Sequence, residues 1–441
     1  MTTTSLFDRA VAVLRSNDTG VFTRPGPHQY PHQWNWDSAL IALGLSHFDL
    51  PRAQLEIRAL LSGQWQDGML PHVVYHHVPS DYFPPAAFWQ IENSPHAPGV
   101  PTSGITQPPL LTTVISRMNS RTPMPDFINE VYPALLRWHR WMHTARDADS
   151  SGLACILHPW ESGTDDSPRW LNILAALQPE ALPEFQRGDT KYVLATERPH
   201  RAEYERFIYL IDVFRKLRYE PDELLQHSPF LVQDILFNAI LFRADEDLRA
   251  LTVSIGQPTD EIDGWLERMR LNFNTRFWDE EVGLYYDYDA RSGEPIRINT
   301  AATFLPLFAG LPSERQSRRL VEGHLLNPDE YAPGGDGRHW VTTTARDEPA
   351  WEPRRYWRGP VWIIMNWFLI EGLRRYDYDD LAETIRQDSL GLIEANGFRE
   401  YYDVRDGSGC GSADFSWSAA LAIELLETAQ DREDKTSSPV L

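Results

Sequence analysis

Apolar residues recur along most of this chain at the spacing of an α-helix. In RAEYERFIYLIDVFRKL, for example, Tyr204, Phe207, Ile208 and Ile211 share one helical face, because 3.6 residues complete one turn. Strand-like alternation of apolar and polar residues is nearly absent. Helices are predicted near residues 5–17, 36–48, 52–63, 107–119, 126–147, 201–217, 222–243, 259–278, 312–326, 358–375, 378–396 and 415–429. The pattern therefore predicts an all-α fold.

Three long connections separate the predicted helices, near residues 64–106, 150–200 and 328–357. They are rich in proline, glycine, histidine and aromatic residues, and loops of this length inside a compact domain are usually functional. No low-complexity linker divides the chain. We therefore expect residues 1–441 to form a single domain whose long loops carry the function.

Composition and charge narrow the class of partner. Hydrophobic residues make up 42% and charged residues 24% of the 441 positions, as in ordinary globular proteins. The net charge of −22 argues against nucleic acid and against a membrane as partners, because anionic surfaces bind basic proteins. The cysteines are Cys155 and Cys410, and the N-terminus lacks the pattern of a signal peptide. We expect a cytoplasmic protein, and a homo-oligomer is possible.

Acidic and aromatic residues are combined in WESGTDDSPRW, residues 160–170. A solvated loop does not need the tryptophans, and a core segment does not tolerate Glu161, Asp165 and Asp166. A sugar-binding cleft needs both, since rings stack on pyranose faces and a pair of carboxyl groups hydrolyses glycosidic bonds. The alternative for either aspartate is an N-cap of the following helix, with Arg169 as a structural partner of one acid.

An internal echo supplies a second candidate acid. FWDEEVGLYYDYDARSGE (277–294) resembles GFREYYDVRDGSG (397–409), and each copy predicts a short hairpin at one end of a ring of helices. Aligning the two Tyr-Tyr-Asp segments places Leu284 opposite Glu400. Structure alone would keep this position apolar, so Glu400 is a candidate for function.

Aromatic residues also surround two predicted helix starts. In QYPHQWNWDSAL, Tyr30 and Trp34 offer stacking surface beside Asp37. The Asp37 carboxylate either binds adjacent sugar hydroxyls or caps the helix. In RRYWRGPVWIIMNW, Trp357 and Trp362 flank a Gly-Pro turn.

Histidines in GQWQDGMLPHVVYHH raise the question of a metal site. His72, His76 and His77 lack the acid–histidine helical motif of many zinc sites, so we expect no metal and interpret them as loop residues. The chain also has no Walker loop, no GxGxxG after a strand and no GxSxG elbow, which are the marks of nucleotide-dependent and serine-hydrolase chemistry. No cofactor is expected.

The motifs WNWDSA, ESGTDDSPRW, YWRGPVWIIMNW and FREYYD together resemble glycoside hydrolase family 63, and more distantly the trehalases of the same clan. The resemblance runs in order from about Gln29 to Trp417. It implies an (α/α)6 barrel with long loops over the active-site mouth and hydrolysis with inversion at the anomeric carbon. By motif position it implies Asp165 as general acid and Glu400 as general base, with carboxyl groups roughly 6.5–9.5 Å apart.

The length of the chain leaves no room for the extra β domain of relatives that act on large glycans, and Thr164 stands where the trehalase-like pattern has tryptophan. The chain is more similar to the bacterial mannosylglycerate and glucosylglycerate hydrolases, which split an α-hexose from D-glycerate. The resemblance therefore implies a small glycoside as substrate, and mannose and glucose both fit the pattern.

Glycerate is an anion, so its site should offer cations or hydroxyl donors. The candidates are Arg201 and Arg206 on the helix after the acidic loop, with Tyr356. The alternative for the arginines is an ion pair with Glu203 or Glu205 on the helix surface.

Gln107 is expected to join Tyr30, Trp34 and Asp37 in holding the sugar, with Trp357 and Trp362 as walls and Tyr82 as part of a lid. A hydrolase acting on trehalose or another α-glucoside remains an alternative, as does a non-catalytic sugar-binding protein. An (α/α)6 isomerase is disfavoured, because such enzymes use histidine pairs and the histidines examined above cluster in one loop.

Overall fold

The computed structural model describes residues 4–76, 80–179, 181–335 and 337–437, with side chains up to residue 428. The α-helices within these residues are α1 Leu6–Asn17, α2 Asn35–Leu45, α3 Leu50–Leu61, α4 Ala86–Trp89, α5 Leu110–Arg121, α6 Pro125–Ala145, α7 Leu171–Ala176, α8 Arg201–Lys216, α9 Pro221–His227, α10 Ile235–Ser254, α11 Asp260–Phe277, α12 Leu305–Ala309, α13 Glu314–Arg318, α14 Ile363–Arg375, α15 Asp379–Asn396 and α16 Ser416–Ser437. Helix therefore dominates the described chain, as the apolar periodicity predicts.

Six of these helices contact one another in a closed cycle, in the order α2, α5, α10, α12, α14, α16 and back to α2. Every residue of α2 is buried, which explains why ALIALGL, the part that follows its polar first turn, is apolar on all sides. The helices α1, α3, α6, α11 and α15 each pack on the outside of a cycle member. They are amphipathic, as α6 illustrates by burying Phe127, Val131, Leu135, Trp138 and Met142 along one face.

Short strands lie between the helices. They are β1 Gln33–Trp34, β2 Val73–Val74, β3 Cys155–Ile156, β4 Val232–Gln233, β5 Trp278–Asp279, β6 Leu284–Tyr285, β7 Asp287–Asp289, β8 Glu294–Ile296, β9 Arg399–Tyr402 and β10 Gly409–Ala413. All pairings among them are antiparallel: β1 with β2, β5 with β6, β9 with β10, and a four-stranded sheet in the order β3-β4-β7-β8. Both copies of the internal echo thus contain a hairpin, as predicted.

Two of the predicted helices differ from the structure at a proline. The helix predicted over 222–243 is interrupted after α9 by Pro229 and β4, and α10 begins only at Ile235, where Asp234 caps it by accepting from Phe237 N. The helix predicted over 358–375 begins at Ile363, because Pro360 favours extended backbone just before it. The helix predicted over 312–326 is α13 followed by a π-helical segment, Arg319–Leu325.

The predicted capping box at the start of α13 is confirmed, with Ser313 accepting from Gln316 N and the Gln316 side chain accepting from Ser313 N.

Cys155 and Cys410 are buried free thiols. Across the ranges that the structure describes, no helix combines the length and the apolar character needed to cross a membrane.

The cycle closes where α2 meets α16, and Gly44 lies at this contact. A Cβ on Gly44 would lie 2.5 Å from Ala420 Cα and 2.6 Å from Ala420 Cβ. The two helices can approach this closely because residue 44 has no side chain.

We predict that Gly44→Ala lowers the free energy of unfolding by about 1–3 kcal/mol, the usual cost of overpacking. The matched control is Gly391→Ala in α15, where an added Cβ meets nothing within 4 Å and better helix propensity adds about 0.5–1 kcal/mol of stability. Differential scanning calorimetry should show a lower Tm for the first variant and an equal or higher Tm for the second. Equal melting temperatures in both variants would show that the contact between α2 and α16 does not require glycine at position 44.

Candidate active site

A pocket lies where the N-terminal ends of several cycle helices meet. Asp37 is in the first turn of α2, Gln107 precedes α5, Trp362 precedes α14, and Trp417 is in the first turn of α16. Backbone N–H groups at helix starts carry partial positive charge, which favours negatively charged groups nearby. The residues that line the pocket include Tyr30, Trp34, Trp36, Asp37, His72, Tyr82, Gln107, Trp160, Asp165, Arg198, Tyr204, Tyr356, Trp357, Trp362, Glu400, Phe415 and Trp417.

Asp165 reaches the pocket from the loop between two 3₁₀ turns, Pro159–Ser162 and Pro168–Trp170. Burial raises the pKa of its carboxyl group to about 7, with further upward contributions from the charges of Asp166 and Glu400 and an opposing one from Arg198. A carboxyl group with this pKa is about half protonated at pH 7 and can act as an acid.

Glu400 enters the pocket from β9 and is buried. Its Oε1 accepts from the Tyr30 hydroxyl at 2.6 Å, and its Oε2 accepts from Arg198 Nη2 at 2.9 Å and from Ser412 N at 2.8 Å. Three donors, one of them cationic, therefore fix the orientation of this carboxylate. Leu284, its counterpart in the echo, is buried in β6 and does not line the pocket.

Asp37 is a further buried carboxyl group of the pocket. Burial, together with the charges of Glu400 and Asp165, raises its pKa well above the usual range. Gln107 is fixed next to it, because its Oε1 accepts from Trp36 N at 3.2 Å. These two polar side chains face the pocket from the starts of neighbouring helices α2 and α5.

Aromatic rings form the walls. Trp357 and Trp362 stack with their centroids 3.8 Å apart and their planes at 8°, and Trp362 also stacks on Tyr401 at 4.7 Å. On another side, Trp34 meets the rings of Tyr30 at 5.2 Å and Tyr82 at 5.1 Å, nearly perpendicular to both. Such surfaces can stack on the apolar faces of a sugar ring.

Arg201 and Arg206, predicted to bind the substrate, do not reach the pocket. The Arg201 side chain is 74% exposed and pairs with Glu205 at 2.9 Å, which was the alternative interpretation. Arg206 donates to the carbonyl oxygens of Leu174 and Ala202. Both residues lie within α8, whose side chains at these positions point away from the pocket.

Arg198 is the cation that the structure places in the pocket instead, alone among the arginines and lysines of the described lining. Its Nη1 donates to Tyr30 Oη at 3.1 Å, its guanidinium lies 4.4 Å from the centre of the Tyr356 ring, and its Nε is buried without a hydrogen-bond partner among the described residues. The sequence contains one feature that distinguishes Arg198 from the arginines of α8. Arg198 immediately precedes Pro199, so its backbone is extended and its side chain is free of the helix surface.

The other acids of WESGTDDSPRW have structural partners. Glu161 pairs with the buried Arg146 and accepts from Leu157 N at 2.7 Å. Asp166 pairs with Arg355 and Arg358. Neither Asp165 nor Asp166 serves as the cap that was the alternative for them, since no side chain caps the Pro168–Trp170 turn.

Arg169 does not pair with an acid of its own stretch; it pairs with Asp234 at 3.2 Å and Asp287 at 2.8 Å. His72, interpreted above as a plain loop residue, lines the pocket between the rings of Trp34 and Trp160. Burial lowers its pKa to about 3, so the imidazole is neutral.

Among the residues that the structure describes, no cluster of histidine, cysteine, aspartate and glutamate is arranged to hold a metal ion. Of the histidines considered for a metal site, His76 stacks on Phe22 and shares a hydrogen bond with Gln33, and His77 lies outside the described residues.

Comparison with known proteins identifies the family. The model of the mannosylglycerate hydrolase MGH1-like glycoside hydrolase domain matches residues 30–418. The crystal structure of a family 63 mannosylglycerate hydrolase from Thermus thermophilus, in complex with Tris and D-glycerate, is 43% identical in sequence and superimposes with a TM-score of 0.89, covering 95% of this chain and 99% of that one. The chain belongs to glycoside hydrolase family 63.

Two further relatives mark the range of similarity. A glucosylglycerate hydrolase from Mycolicibacterium hassiacum is 34% identical over 444 residues, which cover 96% of this chain and 98% of the relative. A cytosolic neutral trehalase from Kluyveromyces lactis is 23% identical over 338 residues, which cover 69% of this chain and 43% of that enzyme. The chain is a glycoside hydrolase, and its trehalase relatives are distant.

Gly411 is required beside Glu400. Its φ is +65°, and a Cβ there would lie 2.5 Å from Glu400 Oε2. We predict that Gly411→Ala displaces the carboxylate and lowers kcat of the glycoside hydrolase about 100-fold, the usual effect of a misplaced reacting group.

Gly256→Ala, just after α10, is the control for this prediction. Its φ of +69° is close to that of Gly411, and an added Cβ meets nothing within 4 Å. Its kcat should stay within twofold of the parent in steady-state assays. Equal losses of kcat in the two variants would mean that strain, not the carboxylate, explains the effect.

Proposed function

We propose that this chain hydrolyses 2-O-α-mannosylglycerate or 2-O-α-glucosylglycerate to hexose and D-glycerate, with inversion at the anomeric carbon. The observation that carries the proposal is the joint placement of Asp165, Glu400 and Arg198 in one aromatic pocket. Two carboxyl groups meet the need of glycosidic hydrolysis, and the guanidinium group meets the need of an anionic leaving group. Relatives that act on mannosylglycerate and glucosylglycerate match nearly the whole chain.

The reaction is a single displacement. Protonated Asp165 donates its proton to the glyceryl oxygen as the glycosidic bond breaks, and Glu400 takes a proton from the water that attacks the opposite face of the sugar. Asp165 is suited to the acid role because burial raises its pKa to about 7. Tyr30 and Arg198 act on this step through Glu400, whose carboxylate they orient.

The sugar lies between the aromatic walls. Asp37 and Gln107 bind its hydroxyls, Trp34 stacks beside them, and Trp357 with Trp362 closes the far side. Arg198 takes the glycerate carboxylate in the role first expected for Arg201 and Arg206, together with Tyr356. Tyr82 covers the pocket from the long first loop.

The fold that holds this site is an (α/α)6 barrel. The closed cycle of six helices with further helices packed outside it supports this architecture, and a continuous hydrophobic core supports a single catalytic domain. We expect the enzyme in the cytoplasm, in line with its free thiols. A possible homo-oligomer and the lack of nucleic-acid partners stay predictions.

We predict that proton NMR within the first minutes of reaction shows release of D-glycerate and β-hexose as the initial anomer from mannosylglycerate or glucosylglycerate. Asp165→Asn and Glu400→Gln should each lower kcat by at least 100-fold, within the range for removing an acid or base. Initial α-hexose would contradict the water-activating role of Glu400. Turnover of trehalose alone would favour the disaccharide hydrolase, and no turnover of any substrate would favour a sugar-binding protein.

We predict that Arg198→Gln removes the preference for an anionic leaving group. The parent enzyme should prefer the hexosylglycerate to the matching neutral hexosylglycerol by about 10–100-fold in kcat/KM, since a hydrogen bond to a charged group contributes about 1.5–3 kcal/mol. The variant should lose most of that ratio, even though its absolute rate also falls because Glu400 loses a donor.

Arg201→Gln is the control for this prediction, because Arg201 is exposed outside the pocket. It should keep the ratio of the parent. If the Arg198→Gln variant is too slow to assay, its affinity for D-glycerate can be measured by calorimetry. A full ratio, or full glycerate affinity, in Arg198→Gln would exclude Arg198 as the glycerate ligand.

A further inference from the structure

We propose that Asp166, Glu203, Arg355 and Arg358 form a charge clamp that positions the general acid. The clamp fixes the loop of Asp165 against the segment that carries Tyr356 and Trp357, and it keeps the negative charge of Asp166 beside the acid. The inference rests on the proposed role of Asp165. These four residues are positioning residues, because they lie behind the pocket wall and not among its lining.

Asp166 is held at three points. Its Oδ2 accepts from Arg355 Nε at 3.0 Å, its Oδ1 accepts from Arg358 Nη2 at 2.9 Å, and its carbonyl oxygen accepts from Arg358 Nε at 3.0 Å. Side chain and backbone of the residue next to Asp165 are therefore both fixed. A charge-assisted network of this kind is rigid when all its members are satisfied.

Glu203, in the first turn of α8, completes the clamp from the other side. It accepts from Arg355 Nη2 at 2.6 Å and from Arg358 Nη2 at 2.7 Å. Two carboxylates thus face two guanidinium groups, and the four side chains are buried or nearly so. The charges of these four side chains balance one another, and the clamp joins three segments that are remote in sequence.

The clamp also explains how the pocket wall is presented. Arg355 and Arg358 bracket Tyr356 and Trp357, so that the outer pair points to Asp166 and the inner pair lines the pocket. Tyr356 has a φ of +32°, a strained conformation that persists only where the surroundings enforce it. The ion pairs on either side of Tyr356 provide that enforcement.

Removing the charge of Asp166 should act on Asp165. The ionisable groups that face Asp165 besides Asp166 are Arg198, Glu400, Asp37 and the hydroxyls of Tyr82, Tyr204 and Tyr356. Without Asp166 the two arginines of the clamp still face Glu203 and the half-exposed Glu352, but one buried negative charge beside Asp165 is gone, and its loss stabilises the ionised form of Asp165. The pKa of Asp165 then falls, and the protonated, active form is lost at lower pH.

The test is a comparison of pH–rate profiles. In the parent, kcat/KM should fall as pH rises through about 7, the pKa of Asp165. Asp166→Asn should lower kcat at least tenfold and move this alkaline limb about one pH unit lower, as expected for the loss of one nearby charge. The control is Glu352→Gln: Glu352 also contacts Arg355, at 3.1 Å, but is 48% exposed, so kcat and the limb should stay as in the parent.

A second variant covers the case in which Asp166→Asn does not fold. Glu203→Gln removes a charge from the same two arginines, so it should lower kcat and shift the limb in the same direction by a smaller amount. A lower Tm with unchanged kcat and an unchanged alkaline limb, in whichever of the two variants folds, would show that the cluster is only structural and would overturn the proposal.

Failure of the clamp can be separated from failure of the acid assignment. An α-hexosyl fluoride has a leaving group that needs no strong proton donor, so Asp165→Asn should keep most of its activity on this substrate while losing it on the hexosylglycerate. If Asp165→Asn is equally inactive on both, Asp165 is not the acid and the clamp loses its role. If the fluoride rescues Asp165→Asn but both clamp variants behave like the parent, the clamp alone is wrong.

Discussion

Burial of three carboxyl groups around one cavity is the constraint on which this site depends. Asp37, Asp165 and Glu400 meet in a pocket whose described lining contributes one guanidinium group, that of Arg198. Like charges this close in a poorly solvated space cannot all be ionised at low cost. The pKa values of Asp37 and Asp165 rise accordingly, whereas Glu400 receives the cation and two further donors. Burial and unequal hydrogen bonding thus give these carboxyl groups different electrostatic environments.

The loop of the acid shows how the protein supports that arrangement. Within residues 160–170, Glu161 is tied to Arg146, Asp166 to Arg355 and Arg358, and Arg169 to two distant aspartates. Asp165 alone among the acids of this stretch lines the pocket. The high charge of the stretch therefore has a simple explanation: its other charged residues anchor the loop so that one carboxyl group faces the pocket.

Much of this site was accessible from the sequence. The echo between two hairpins singled out Glu400, and four ordered motifs singled out Asp165 and the family. The aromatic residues beside predicted helix starts reach the pocket because the starts of the inner helices converge there. Arg201 and Arg206 were wrongly chosen, since helical periodicity says which residues share a face but not which face looks toward the pocket. Arg198 precedes α8, so helical periodicity gives no information about where its side chain lies.

The sequence by itself determined the local features of this protein: the helices, from apolar spacing; their ends, from prolines and caps; and the family, from short motifs. Only the tertiary structure decided which charged groups meet. Arg198 and Glu400 are 202 residues apart, and Asp166 and Arg355 are 189 apart. Such contacts join loops that are far apart in the chain, and no local sequence pattern predicts which loops will meet. They form because closure of the helical cycle brings the loops to one end and burial then requires each charge to find a partner.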